Sequence, residues 1–200
     1  MESRNEVVDN LEFHPLTHDR WSHFEALFGE RGACGGCWCM WWRLKRSEFE
    51  KQKGQKNREA MRQIVESGNI PGILTYYDNQ PIAWCSVSPR EKYPSLDRSR
   101  ILKPVDEKPV WSIVCFFIAK PYRKMGLTVK ILKYVIEYCR KQGAKIVEGY
   151  PIDPKKPSMP DVFAYTGFVS AFRGAGFKEV ARRSGTRPIM RYELYIVRSL

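Results

Sequence analysis

The stretch "KPYRKMGLTVKIL", residues 120–132, decides the fold. It follows "VWSIVCFFIA", residues 110–119, an apolar run of strand length. Beyond it Ile131, Leu132, Val135, Ile136 and Cys139 recur at three- and four-residue spacing, while Lys130, Lys133, Glu137, Arg140 and Lys141 take the opposite face. Gly143 stops that helix, and "AKIVEGYP", residues 144–151, reads as another strand. A strand–helix–strand unit implies parallel or splayed neighbouring strands. The junction loads Arg123, Lys124 and Gly126 where an ordinary helix start takes a Ser or Asp cap. A helix N-terminus offers unpaired N–H groups and about half a positive charge. Glycine lets backbone approach an anion closely, Thr128 adds a hydroxyl, and Arg123 and Lys124 add charge. The turn is built to receive a pyrophosphate. It is neither a G-x-x-x-x-G-K-S/T loop nor a G-x-G-x-x-G fingerprint.

Outward from this unit, "NLEFHPLT" (10–17) reads as a first strand ending at Thr17, which caps the helix "HDRWSHFEALFGERG". The Gly-broken "RGACGGCWCMWWR" (31–43) comes next, then one polar helix, "SEFEKQKGQKNREAMRQIVES" (47–67). "GILTYY" and "PIAWCSVS" around "DNQ" read as an antiparallel hairpin. Residues 89–109 are loop-like, "DVFAYTGFVSAFRGAG" (161–176) is a short helix, and "FKEVARRS" and "IMRYELYIV" close the chain as strands. The sum is a mixed α/β domain of about seven strands over residues 1–200.

The 200 residues carry a net charge of +12, unevenly: residues 1–50 hold 6 basic and 9 acidic side chains, residues 51–200 hold 28 and 13. A basic body points to an anionic partner, nucleic acid or a smaller polyphosphate. No run reaches the 18 or so apolar residues of a membrane span, and "MESRNEVVDN" has no signal-like apolar region. A cytoplasmic, reducing compartment is the expectation, with the six cysteines as free thiols.

Arg123-x-x-Gly126-x-Thr128 after a strand resembles the Q/R-x-x-G-x-G/A motif of the GNAT superfamily of acyl-CoA-dependent N-acetyltransferases. Thr128 departs from it, and either crowds the phosphate or hydrogen-bonds it. "FFIAKPYR", "GAKIVEGYP" and "AFRGAGFKEV" resemble the strand before that motif, the strand after its helix, and the helix end and strand that follow, so the likeness covers residues 110–183. It implies a central, twisted, mostly antiparallel sheet with splayed strands 4 and 5, flanked by about four helices. It also implies acetyl-CoA in the cleft: pantetheine along the backbone of Phe116, Phe117 and Ile118, and pyrophosphate on the amides of Arg123, Lys124, Met125, Gly126, Leu127 and Thr128. The function implied is acetyl transfer to a primary amine by direct attack in a ternary complex. A catalytically weak acyl-CoA sensor and a basic nucleic-acid module are the alternatives. The acceptor is expected to be a small molecule rather than a protein, with no membrane, no nucleic acid and no metal; a homodimer stays open.

An alkylammonium has a pKa of about 10.4, so a base assists. Glu148, a lone carboxylate in an apolar strand, is the candidate; the other reading is a strand-end surface glutamate paired with Lys or Arg. The family's Tyr, five residues before the Phe of "GF", is here Phe172. Tyr165, Ser170 or bulk water can substitute as acid for the leaving thiolate; the other reading of Tyr165 is a packing aromatic with a wet hydroxyl. Cys34-x-x-Cys37-x-Cys39 looks metal-like but lacks a fourth ligand and a second pair. In the family, the loop between the first two helices borders the acceptor site. Trp38, Trp41 and Trp42 therefore wall the acceptor pocket or plug the helices onto the sheet.

Overall fold

The computed structural model describes residues 4–155 and 161–194. Seven strands form one sheet: β1 (Glu12–Pro15), β2 (Gly72–Tyr77), β3 (Gln80–Pro89), β4 (Trp111–Ile118), β5 (Ile146–Gly149), β6 (Lys178–Arg182) and β7 (Pro188–Glu193), in the order β1-β2-β3-β4-β5-β7-β6. Every neighbouring pair is antiparallel except β4 and β5. The mixed α/β sheet is thus the expected one, with its parallel pair at strands 4 and 5; residues 195–197 of the last expected strand lie outside the described residues.

The hairpin of β2 and β3 turns on Asp78 and Asn79, both left-handed at φ 48° and 59°. Such a two-residue turn matches the twist of the strands it joins. β2 is buried at all six positions because helices cover both faces of the sheet, so it reads as an unbroken apolar run.

On one face lie α1 (Arg4–Asp9), α6 (Leu127–Lys141) and α7 (Val169–Gly174). α6 buries Leu127, Ile131, Leu132, Val135, Ile136, Tyr138 and Cys139. It ends at Gly143, φ 78°, with Ala144 N–H returning to the Cys139 carbonyl and Gly143 N–H to Arg140. α1 was not expected: Val7, 1% exposed, anchors it to this core.

The other face carries α2 (Trp21–Phe28), α3 (Arg46–Gln52) and α4 (Gln55–Glu66). Thr17 does not cap α2; its hydroxyl accepts from Arg20 instead, at 2.9 Å. The polar helix expected over residues 47–67 is two helices. The break falls at Gly54, φ 84°, whose N–H bonds Gly36 O at 3.0 Å. A Cβ on Gly36 would lie 2.4 Å from that nitrogen, so the contact needs glycine at 36, while Gly54 is set by its left-handed φ.

Residues 89–109, expected as loop, hold an ordered insert containing a 3₁₀ turn (Arg90–Lys92) and α5 (Pro94–Asp97). Tyr93, Leu96 and Leu102 pack on Val114, Tyr150 and Ile189, roofing the β4–β5–β7 part of the sheet.

Candidate functional site

The site begins with a fault in β4. Its register with β3 runs Ser86↔Cys115 and then Val87↔Ile113, leaving Val114 as an extra residue. A bulge of this kind leaves one residue outside the ladder and re-aims those beyond it. Ile113 packs with the α6 core, Val114 and Cys115 both pack on the opposite side, and Phe116 returns to α6. β5 follows β4 only through Trp111↔Val147, Ser112↔Glu148 and Ile113↔Gly149. From Val114 onward the two strands part, and a gap opens beside Phe116, Phe117 and Ile118.

The chain leaves β4 through a 3₁₀ turn (Lys120–Tyr122) and enters α6 through the basic turn. Arg123 Nε donates to Ile118 O at 2.9 Å, pinning that turn to the strand end. Lys124 and Gly126 are left-handed, φ 63° and 86°. No side chain caps α6. Its first N–H groups, Leu127 and Thr128 among them, have no intrahelical acceptor and head the helix dipole at the mouth of the gap. Gly126 and Lys124 are exposed, Met125 and Thr128 half-buried. The six residues singled out from sequence, 123–128, all lie at this junction between the 3₁₀ turn and α6.

Glu148 is placed otherwise than expected of a base. It is fully buried, and both oxygens are engaged. Oε1 accepts Tyr150 Oη at 2.7 Å and Arg90 Nη1 at 3.3 Å; Oε2 accepts Arg191 Nε at 2.7 Å. Arg90 continues to Asp97, Arg191 to Asp106, and Tyr150 Oη meets Ser112 Oγ at 2.8 Å. The pairing with arginine is the one the other reading expected, but it is made in the core and not at the surface. Two guanidiniums compensate the buried charge, and they tie β5 to the insert and to β7.

Tyr165 lies in a 3₁₀ turn (Asp161–Thr166). Burial pushes its phenol up to about 12, against the pull of Arg187; the thiols of Cys115 and Cys37 lie close enough to raise it further. It therefore keeps its proton at any working pH. Arg187 also donates to Thr166 Oγ1 at 2.9 Å. Phe172 is fully buried against Phe116 and Phe177, and a Cβ on Gly149 would lie 2.1 Å from its ring. It is a core side chain.

The tryptophans divide. Trp38, 5% exposed, stacks on Phe28 and lies over Gly32, where a Cβ would come within 2.4 Å of its indole nitrogen. It plugs α2 onto the sheet. Trp41 is half-buried, edge-on to Phe49; Trp42 is half-buried beside the insert cluster that also takes Val114 and Cys115. Trp42 is the one of the three that borders the bulge. The six cysteines are free thiols. Among the described residues no three His, Cys, Asp or Glu side chains converge as a metal site, and no helix is long and apolar enough to cross a membrane. A groove of about 530 Å³ lined by Met40, Arg43, Trp111 and Tyr138 lies at the start of β4, away from the gap.

The family model "Acetyltransferase (GNAT) family" matches residues 38–158. The chain belongs to the GNAT acetyltransferase family. Among solved structures, a GNAT acetyltransferase from Listeria monocytogenes superposes with TM-score 0.56 at 7% identity, covering 92% of this chain and 95% of its own. The PaiA N-acetyltransferase of Thermoplasma acidophilum in complex with coenzyme A gives 0.50 at 12%, covering 92% and 99%. AAC(6')-Ib in complex with paromomycin and acetyl-CoA gives 0.54 at 13%, covering 92% and 94%. No curated protein matches the chain by sequence. These likenesses show a GNAT fold. Within this GNAT chain, sequence reasoning missed the Val114 bulge and the partners Arg90, Tyr150 and Arg191. The bulge left no sequence signal because β4 is apolar on both faces, so no alternation is interrupted.

Proposed function

We propose that the protein transfers an acetyl group from acetyl-CoA to a primary amine of a small molecule, by direct attack in a ternary complex. One observation carries this reading. The uncapped, glycine-turned start of α6 stands at the mouth of the gap that opens where β4 bulges and leaves β5. A diphosphate on the amides of residues 123–128 lays the pantetheine arm along Phe116 to Ile118. The thioester carbonyl then lies near the amides of Val114 and Cys115, where an N–H can hold the developing oxyanion. The amine enters from the face of Trp42 and Tyr165.

Glu148, with both oxygens engaged, is a positioning residue that fixes β5 against the insert. The nucleophile arrives as the neutral amine. Tyr165 donates a hydrogen bond to the leaving thiolate. At a pKa of about 12 it does not give up its proton outright to a thiolate whose own pKa is about 8.5. The other GNAT structures, one holding coenzyme A and another acetyl-CoA with an aminoglycoside, support the choice of donor and of a small acceptor.

A second reading, acyl-CoA binding without turnover, is favoured by the burial of Phe172 and the engagement of Glu148. The two are separated by thiol release from acetyl-CoA across a panel of amines. Release with at least one amine, lost in Gly126→Trp, supports transfer. Binding of acetyl-CoA with no release for any amine supports the second reading.

A further inference from the structure

The groove at the start of β4 lies far from the start of α6. It meets the other end of that helix, at Tyr138 and Gln142, and the 15-residue helix is about 22 Å long. Distant parts of the chain build its wall: Met40 and Arg43 after α2, Ile64 of α4, Ser88 at the end of β3 and Trp111 at the head of β4. Trp111 and Tyr138 meet edge to face, ring centroids 6.1 Å apart, and with Met40 and Ile64 they make much of the wall apolar. At about 530 Å³ the space is of the size that holds a small organic molecule.

The charge on this wall has one sign. Arg43 and Lys92 line the groove, and among the described lining residues there is no Asp or Glu. Arg43 is half-buried, and its hydrogen bonds leave from one nitrogen: Nη2 donates to Pro71 O, Ser88 Oγ and Tyr93 Oη, each at 3.1 Å. All three acceptors are neutral; burial raises the Tyr93 phenol, which keeps its proton. The guanidinium also lies over the Tyr93 ring, 4.5 Å from its centroid, and its Nε is buried with no acceptor. Arg90 and Arg191, the other arginines drawn into the fold here, each hold two carboxylates. Arg43 holds none among the described residues. A cation taken partly out of water and met only by neutral groups retains an unmet demand for an anion.

We propose that this groove is a binding site for a small organic carboxylate with an aromatic or branched aliphatic body. The carboxylate lies against Arg43, with the exposed Lys92 adding charge at the rim, and the body lies on Trp111 and Tyr138. An inorganic anion leaves the apolar wall in contact with water, and a neutral apolar molecule leaves Arg43 without its anion. A molecule with both parts satisfies both. The site is separate from the start of α6, and the inference stands whether or not the chain transfers acetyl groups.

The test titrates the full chain with 4-phenylbutyrate and with the matching amide, 4-phenylbutyramide, by calorimetry and by thermal unfolding. The acid is expected to bind and to raise Tm. The amide is expected to bind at least about tenfold more weakly, the loss of one charge-assisted hydrogen bond. Arg43→Met removes the preference for the acid, and Lys92→Gln weakens the acid while leaving the amide unchanged. Arg43 also holds Ser88 and Tyr93, so Ala60→Phe, which narrows the groove and keeps the guanidinium, serves where Arg43→Met does not fold; it is expected to abolish binding of the acid. Acetyl-CoA does not displace the acid, and Gly126→Trp binds it as wild type does. No binding of the acid at millimolar concentration, equal affinity for acid and amide, wild-type affinity in Arg43→Met or Ala60→Phe, or displacement by acetyl-CoA overturns the proposal.

Discussion

Glu148 and Tyr165 mark how far single residues can be read from sequence. Glu148 stood out because a carboxylate in an apolar strand needs a reason. Its partners Arg90 and Arg191 lie 58 and 43 residues away, and nothing local announces them. Charge pairing across a sheet is fixed by topology, so both readings of the residue stayed open until the strands were placed. Glu148→Gln leaves two buried guanidiniums short of an anion and is expected to cost about 3–5 kcal/mol of stability, measured by urea unfolding. A variant that keeps its stability and loses turnover would make Glu148 a base after all. The account also predicts a pH profile. With the amine reacting in its neutral form, kcat/KM rises with pH toward an amine pKa of about 10.4. Tyr165, raised to about 12, stays protonated throughout that range, so no falling limb appears within it. A plateau from neutral pH upward would instead signal an enzyme base. Phe172→Tyr does not restore an acid, because the ring is buried; it is expected to destabilise the fold by about 1–3 kcal/mol with no gain in turnover.

At the scale of elements, periodicity carried most of the reading. The apolar stripe of α6 and its Gly143 stop are local features, and they matched the buried face and the terminus. So did the hairpin around Asp78 and Asn79. The polar helix over 47–67 broke at Gly54 because Gly36, from another segment, takes up its N–H, a contact no periodicity reveals. The uncapped start of α6, proposed as the anion seat, was legible for a related reason: a helix end that lacks a side-chain cap, where Lys124 and Gly126 are bent into left-handed backbone, declares itself by residue type.

For the whole molecule, the insert within residues 89–109 is the feature composition concealed. Proline and charge made it read as loop, yet Arg191 holds Asp106 at 2.7 Å and Arg183 holds Lys103 O and Pro104 O. The hydrogen bond from Arg191 lowers the Asp106 pKa. A lowered carboxylate stabilises the fold above its unfolded pKa of about 3.9 and loses that contribution as pH falls through its folded value. Hydrogen exchange is therefore expected to show the insert opening below about pH 4, before the β2–β3 hairpin, and Asp106→Asn is expected to show that opening already at neutral pH. Opening of insert and hairpin together would contradict this.

The central claim is that backbone amides at the start of α6 hold the diphosphate of acetyl-CoA. Calorimetric titration of wild type and Gly126→Trp with acetyl-CoA tests it. Losing two or more hydrogen bonds to a charged group, at about 1.5–3 kcal/mol each, predicts binding weaker by about 100-fold or more with the fold intact. Equal affinity in the two proteins would contradict it.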